Sequence, residues 1–265
     1  MAAPFYRMDF AVDDRDPLQQ TLNRLYRYES DTVTKVLHRS RLNLFYLLMQ
    51  DLLERGFLPR LDSALDVGCN AGAYARMLAD LGFRSVAGID IDEEAIARAR
   101  AEFTRGNGNI EFRVEDAERM TTEGEFDLVL CTEVVEHTSN PEQVVANIER
   151  ALTPGGIAVV SLPNGFSFPY LVTRVIHLLR RRRKDPDLRA HLRYPSYRST
   201  RLFGDAMEVI AIEGTNLFFD PVTLRLVYRT PVFPAVNRVN FFLARTNPLK
   251  YLAQFVFLAA RKRVA

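Results

Sequence analysis

The 265-residue chain contains only two cysteines and no tryptophan, and its apolar runs are short. Cys69 and Cys131 cannot form the disulfide framework of a secreted domain. Both lie in apolar segments, so we expect buried thiols in a reducing compartment. No stretch reaches the roughly 18 apolar residues that a membrane-spanning helix needs. Residues 1–16 are interspersed with charges and lack the apolar core of a signal peptide. These absences predict a cytoplasmic protein.

The chain also lacks an excess of either sign of charge, because it contains 35 Lys and Arg and 33 Asp and Glu. A net charge of +2 neither indicates nor excludes nucleic acid as a partner, since a local basic patch is compatible with it. The hydrophobic fraction of 48% and the charged fraction of 26% are typical of folded globular proteins and exclude disordered and fibrous classes. The length predicts one large domain or one domain with additions.

Short apolar strands alternate with helical segments through the middle of the chain. The predicted strands are residues 64–67, 86–91, 110–115, 126–131, 157–162, 207–212 and 255–260, and the predicted helices are residues 38–57, 73–81, 93–105 and 141–152. This alternation is typical of βαβ units and predicts a parallel sheet covered on both faces. Residues 165–201 break the pattern and carry ten Lys or Arg against two Asp, which we interpret as a basic insertion. The apolar residues of the segment 214–250 show no clear helical or strand periodicity.

The strongest chemical signal is a glycine-containing loop after the first predicted strand, LDVGCNAG at residues 65–72. Gly68 lets a ligand approach the backbone, and Gly72 lets the next helix aim its N–H groups at that ligand. A tight turn without a ligand is the alternative. Asp90 ends the second predicted strand, where a carboxylate binds ribose hydroxyls in nucleotide-binding sheets. The loop lacks Gly-x-Gly-x-x-Gly, which disfavours a dinucleotide, and no Gly-Lys-Ser or Gly-Lys-Thr follows, which excludes a P-loop.

Several motifs in one order resemble those of class I S-adenosylmethionine-dependent methyltransferases. LDVGCNAG is similar to the first motif of that family, with Asn70 where glycine is usual. The other matching segments are GIDI (88–91), VEDAE (114–118), FDLVLCTE (126–133) and LTPGG (152–156). The resemblance covers about residues 62–163 and the last two strands. It implies a Rossmann-like α/β sheet of seven strands in the order 3-2-1-4-5-7-6, with the last strand antiparallel. It also implies a helical cap at residues 1–60 and a methyltransferase domain at residues 61–265 that contains the basic insertion.

The resemblance further implies that S-adenosyl-L-methionine is the cofactor. Asp90 would hold the ribose, Ile91 would pack on adenine and Asp116 would bind the adenine amino group. Arg41 resembles, loosely in spacing, an arginine that contacts the methionine carboxylate. The predicted cofactor residues are Arg41, Asp66, Gly68, Cys69, Asn70, Gly72, Asp90, Ile91, Asp116, Ala117 and Thr132.

Residues 132–137, TEVVEH, are similar to a segment of ubiquinone-biosynthesis O-methyltransferases. The two glutamates and the histidine are associated with magnesium in some of those enzymes. We expect no metal, because magnesium prefers octahedral oxygen ligation over imidazole, although magnesium stays an alternative. His137 is the first candidate for a general base, since a neutral histidine accepts a proton near pH 7. His191 resembles a histidine that faces the acceptor pocket and is the second candidate. A structural role is the alternative for each.

The basic insertion begins with an apolar stretch at residues 166–179 that runs into RRRRK at residues 180–184. This combination is typical of a helix bound to an anionic membrane surface. A solvated lid over the active site is the alternative, and nucleic acid is disfavoured because no known binding module accompanies the cluster.

The sequence therefore predicts methyl transfer from S-adenosylmethionine, as O-methylation of a lipid-linked or apolar small-molecule acceptor. It also predicts peripheral attachment to the inner face of the membrane. The alternatives are an N-, C- or sugar methyltransferase and a non-catalytic S-adenosylmethionine-binding protein that docks on membranes.

Overall fold

The computed structural model describes residues 32–103, 109–179, 200–219, 224, 226–228 and 230–264. Its helices and strands are α1 (Thr32–Glu54), β1 (Ser63–Val67), α2 (Ala73–Asp80), β2 (Ser85–Asp90), α3 (Glu93–Phe103), β3 (Ile110–Val114), β4 (Phe126–Thr132), α4 (Pro141–Ala151), β5 (Leu152–Pro163), α5 (Phe168–Leu179), β6 (Met207–Thr215), α6 (Phe233–Ala244) and β7 (Phe255–Lys262). Short 3-10 helices cover Val135–His137, Thr200–Leu202 and Leu249–Leu252.

The seven strands form one sheet in the order β3-β2-β1-β4-β5-β7-β6. Strands β1 to β5 run parallel, and β7 pairs antiparallel with both β5 and β6. The predicted order and fold class are therefore confirmed. Every residue of β4 is buried, as expected for a central strand with helices on both faces.

Two apolar clusters cover the two faces of the sheet. Leu128 and Leu130 belong to one cluster and Val129 and Cys131 to the other, because successive side chains of a strand point to opposite faces. The first cluster includes Leu42, Phe45, Met49 and Leu52 of α1. Helix α1 thus packs directly against the sheet.

Helix α1 begins six residues before the predicted start and ends three before the predicted end. At its end, Phe57 N–H donates to Leu52 O at 2.9 Å and Gly56 N–H donates to Leu53 O at 3.0 Å. With Gly56 at φ 72°, these bonds form a Schellman cap, as predicted for a glycine at this place. At its beginning, Val36 packs against Phe219 and Phe233, and these distant partners cannot be inferred from local periodicity.

Other boundaries also differ from the prediction. Strand β5 starts at Leu152, because Leu152 pairs with Phe126 ahead of a register shift, so the Pro-Gly-Gly turn lies inside the strand. The aperiodic residues 214–250 contain helix α6, and the insertion contains helix α5. Among the helices of the described ranges, none is long and apolar enough to cross a membrane.

Candidate active site

The loop after β1 turns through three residues in the left-handed region: Gly68 at φ 69°, Asn70 at φ 47° and Gly72 at φ 85°. Asparagine tolerates this region better than most residues. The Asn70 side chain also accepts a hydrogen bond from the Ala71 N–H at 2.7 Å. The loop shape therefore survives the exchange of the usual glycine for Asn70.

Two glycines of this loop allow close packing as well as left-handed backbone. A Cβ atom on Gly68 would overlap Cγ2 of Val134, and one on Gly72 would lie 2.7 Å from Cζ of Phe112. Gly68 thus lets the loop contact the segment that follows β4. Gly72 lets α2 pack tightly on the sheet.

Asp90 stands at the carboxyl end of β2 and is held by two backbone N–H groups. Its Oδ2 accepts from Asn70 N–H at 2.7 Å, and its Oδ1 accepts from Asp92 N–H at 2.9 Å. A carboxylate oxygen has two lone pairs, so each oxygen can accept one more hydrogen bond. This geometry suits the two hydroxyls of a ribose.

Two neighbouring cavities lie at the carboxyl edge of the sheet. The first has a volume of about 520 Å³ and is lined by Gly68, Asp90, Ile91, Glu115, Asp116, Ala117, Glu118, Arg119, Glu133, Val134, His137, Thr138 and Ser139. The second has about 320 Å³ and is lined by His38, Arg41, Gly68, Cys69, Asn70, Tyr74, Asp90, Thr132, Glu133 and Val134. Four residues line both cavities, so together they form one cleft with two ends.

The cleft brings together most of the predicted site residues. Those on its walls are Arg41, Gly68, Cys69, Asn70, Asp90, Ile91, Asp116, Ala117, Thr132 and His137. Asp66 and Gly72 do not line it and instead support the loop from behind. Burial raises the pKa of Asp66 to about 8. His191 and residues 180–184 lie outside the described residues.

An ion pair crosses the second cavity. Arg41 of α1 donates from Nη1 to Oε2 of Glu133 at 2.6 Å, and its guanidinium lies 4.7 Å from the centre of the Phe255 ring. Glu133 has φ 57°, and its N–H donates to Ser161 Oγ at 3.1 Å. Burial raises the pKa of Glu133, while Arg41 and His137 act in the opposite direction. The end of β4 therefore holds Arg41 at the cleft wall.

Glu136 and His137 follow on the next turn. Glu136 is buried, and burial together with the charge of Glu133 raises its pKa to about 8. Nε2 of His137 lies 3.9 Å from Oε1 of Glu136, and half of the His137 side chain is exposed to the first cavity. An accessible imidazole backed by a buried carboxyl group can accept a proton from a ligand. The described residues include no group of three or more His, Cys, Asp or Glu placed to hold a metal ion.

Four residues that line the second cavity were not predicted as cofactor residues: His38, Tyr74, Glu133 and Val134. His38 lies one helical turn before Arg41. Burial and the Arg41 charge lower its pKa to about 3, so it is neutral. The three-residue spacing of His38 and Arg41 on one helix could have indicated that both side chains lie on the same helix face. Nothing in the sequence besides its apolar side chain could have marked Val134 as a residue of the site.

Part of the chain is similar to known methyltransferases. Residues 65–160 match the family described as methyltransferase domain. A ubiquinone biosynthesis O-methyltransferase of Thiobacillus denitrificans is 36% identical over 113 residues, which are 42% of this chain and 48% of that protein. The corresponding protein of Rickettsia typhi is 31% identical over 137 residues, or 51% and 55% of the two chains. The chain thus spans about half the length of these curated relatives.

Two solved structures share the fold. A SAM-dependent methyltransferase from Aquifex aeolicus superposes with a TM-score of 0.51 at 14% identity, covering 82% of this chain and 89% of that one. A structure concerned with the conversion of a disulfide into a thioacetal in echinomycin biosynthesis gives a TM-score of 0.53 at 21% identity, covering 82% and 80%. At these identities the likeness shows the fold alone.

Proposed function

We propose that this chain, whose residues 65–160 form a class I S-adenosylmethionine-dependent methyltransferase domain, methylates a hydroxyl group of an apolar small molecule. The observation that carries the proposal is the two-ended cleft with Asp90 at its centre. The curated relatives are named O-methyltransferases of ubiquinone biosynthesis, which supports a hydroxyl as the acceptor.

We assign the two halves of S-adenosylmethionine to the two cavities of the cleft. In the first cavity, Ile91 exposes 71% of its surface and offers an apolar face to adenine, with Asp116 and Ala117 nearby. In the second cavity, Arg41 and Asn70 would hold the methionine end. Asp90 lines both cavities and would bind the ribose between them.

The main catalytic task of the protein is to align the acceptor oxygen with the methyl group of the donor. S-adenosylmethionine supplies a methyl group already activated on a sulfonium, so the chain must orient the acceptor oxygen and exclude water. A hydroxyl acceptor must also lose a proton. We assign that proton to His137, which lines the first cavity. The same role for His191 stays a prediction.

The acceptor class is supported by the segment after β5. Phe166, Phe168, Leu171 and Val175 are all 44% or more exposed, and the basic residues 180–184 follow. Tyr170 points inward instead, to a hydrogen bond with the Gln254 side chain. An exposed apolar stretch followed by cations favours contact with an anionic membrane. We therefore propose that residues 166–184 attach the protein peripherally and that the acceptor is lipid-linked or otherwise apolar.

Calorimetric titration with S-adenosylmethionine tests the donor site. Asp90→Ala removes charge-assisted hydrogen bonds and should lower affinity by about thirtyfold, equivalent to about 2 kcal/mol. Asp92→Ala is the matched control. Its carboxylate caps α3 through the N–H groups of Glu94 and Ala95 and lines neither cavity. Equal affinity of Asp90→Ala and wild type would remove Asp90 from the donor site.

A further inference from the structure

Helix α6 exposes apolar side chains on its outer face, while its inner face buries two amides among apolar side chains such as Phe233 and Phe241. Its inner face carries Asn237 and Asn240, which are 2% and 3% exposed. Its outer face, together with the residue before it, carries Val232, Val236, Val239 and Phe242, exposed by 59%, 40%, 54% and 67%. A surface helix in contact with water has the opposite arrangement. The outer face of α6 is therefore a candidate docking surface.

The orientation of α6 is imposed by hydrogen bonds of its inner face. Oδ1 of Asn240 accepts from the N–H groups of Leu217 and Phe218 at 2.8 and 2.9 Å. Its Nδ2 donates to Asn216 Oδ1 at 3.4 Å, and Asn216 in turn binds Gln254. Rotating α6 to bury the valines would leave buried amides and backbone N–H groups without partners. The apolar outer face is thus a stable feature of the fold.

Helix α6 and the residues that directly follow it carry only cations among their charged residues. Residues 233–250 contain Arg238, Arg245 and Lys250 and no Asp or Glu. Arg238 is exposed beside the outer face, and Arg245 follows at the end of the helix, paired with Glu213 at 2.9 Å. An apolar stripe bordered by cations complements an anionic lipid surface, where apolar side chains enter the headgroup boundary.

The position of α6 places this face at the edge of the sheet that carries the cleft. Phe233 of α6 packs against Val36 of α1, the helix that also carries Arg41. Asn164, which follows β5, donates to Tyr251 O and Ala253 O at 2.8 and 2.9 Å. These bonds tie the start of the 166–184 segment to the chain that follows α6. A bilayer in contact with α6 would thus lie beside the cleft.

We propose that the outer face of α6, formed by Val232, Val236, Val239 and Phe242, docks on an anionic lipid bilayer as a second contact beside residues 166–184. Its purpose rests on the proposed function, since docking at this edge brings the donor cleft to the membrane in which an apolar acceptor dissolves. The docking itself needs no donor.

The absence of tryptophan allows a direct measurement on the full chain. In F242W the single indole should shift its emission to shorter wavelength when phosphatidylcholine–phosphatidylglycerol vesicles are added at low salt, and brominated lipid should quench it. V264W is the matched control, because Val264 is 69% exposed but follows β7 at the opposite edge of the sheet. We expect no shift for V264W, and a loss of the F242W shift at high salt.

Vesicle sedimentation provides the second measurement. V236S/V239S/F242S should reduce partition onto the same vesicles by about tenfold or more, because three apolar side chains that would enter the bilayer are lost. V239S alone should show a smaller loss of vesicle partition, and V264S should show none. These two single variants can still be compared with each other if the triple variant does not fold. Titration with S-adenosylmethionine should give wild-type affinity for every variant, so a failure of docking is distinguishable from a failure of the donor site.

Three results would overturn the proposal. One is an unchanged F242W emission while the protein sediments with vesicles, which would leave residues 166–184 as the membrane contact. Another is equal partition of V239S, V264S and wild type. The third is a dimer in light scattering that V239S dissociates without changing vesicle binding, which would assign the face to a second copy of the chain.

Discussion

Replacing Gly68 with alanine should destabilise the protein for two separable reasons. Gly68 has φ 69°, and a left-handed backbone costs a residue with a side chain about 1–2 kcal/mol. The new Cβ would also overlap Cγ2 of Val134, and overpacking of this kind costs about 1–3 kcal/mol. We therefore expect Gly68→Ala to lower the free energy of unfolding by about 2–5 kcal/mol and to weaken donor binding.

A second substitution separates the steric part from the backbone part. Val134→Ala removes both Cγ atoms, so in G68A/V134A the overlap should largely disappear while the left-handed strain remains. The double variant should recover about 1–3 kcal/mol relative to the sum of the two single effects. Gly124→Ala is the matched control for strain alone, because Gly124 has φ 63° and a Cβ atom there would meet nothing within 4 Å.

Urea denaturation followed by circular dichroism measures these differences, and calorimetry measures donor binding. If Gly68→Ala lowers the free energy of unfolding no more than Gly124→Ala does, a Cβ atom at residue 68 does not clash with Val134. If Val134→Ala restores nothing, the steric argument fails, even if Gly68→Ala is destabilising.

Two further predictions concern the segment after β4. His137→Ala should lower the turnover of an apolar acceptor that carries a hydroxyl group by about 100-fold, with donor affinity unchanged. A matching loss of donor affinity, seen by calorimetry, would make His137 part of the donor site instead. The pKa of Glu136 is raised from 4.5 to about 8 in the folded protein. Between these two pH values the folded protein keeps a proton on Glu136 that the unfolded chain releases. The free energy of unfolding of the wild type should therefore fall as the pH rises through this range. Glu136→Gln stays neutral, so its free energy of unfolding should change less between about pH 5 and about pH 9; equal pH dependence of the two proteins in urea denaturation would contradict the raised pKa.

Much of the fold and of the candidate site follows from local sequence signals. Apolar runs of strand length between amphipathic helices predict the parallel sheet, because a strand covered on both faces must be apolar on both. The glycines of residues 65–72 predict the loop, and the position of Asp90 at the end of β2 predicts the carboxylate that faces it. The strand order, with β7 antiparallel, came from the family resemblance and is confirmed.

Tertiary structure alone decided the rest. The bond between Arg41 and Glu133 joins residues 92 positions apart, and no local pattern encodes such a distance. Helix α6 escaped prediction because periodicity is interpreted on the assumption that polar side chains face water. Asn240 violates that assumption, since its partners lie 22 and 23 residues earlier in the chain. A sequence pattern thus determines which elements can form, whereas the hydrogen-bond partners brought by the fold decide which face of α6 is buried.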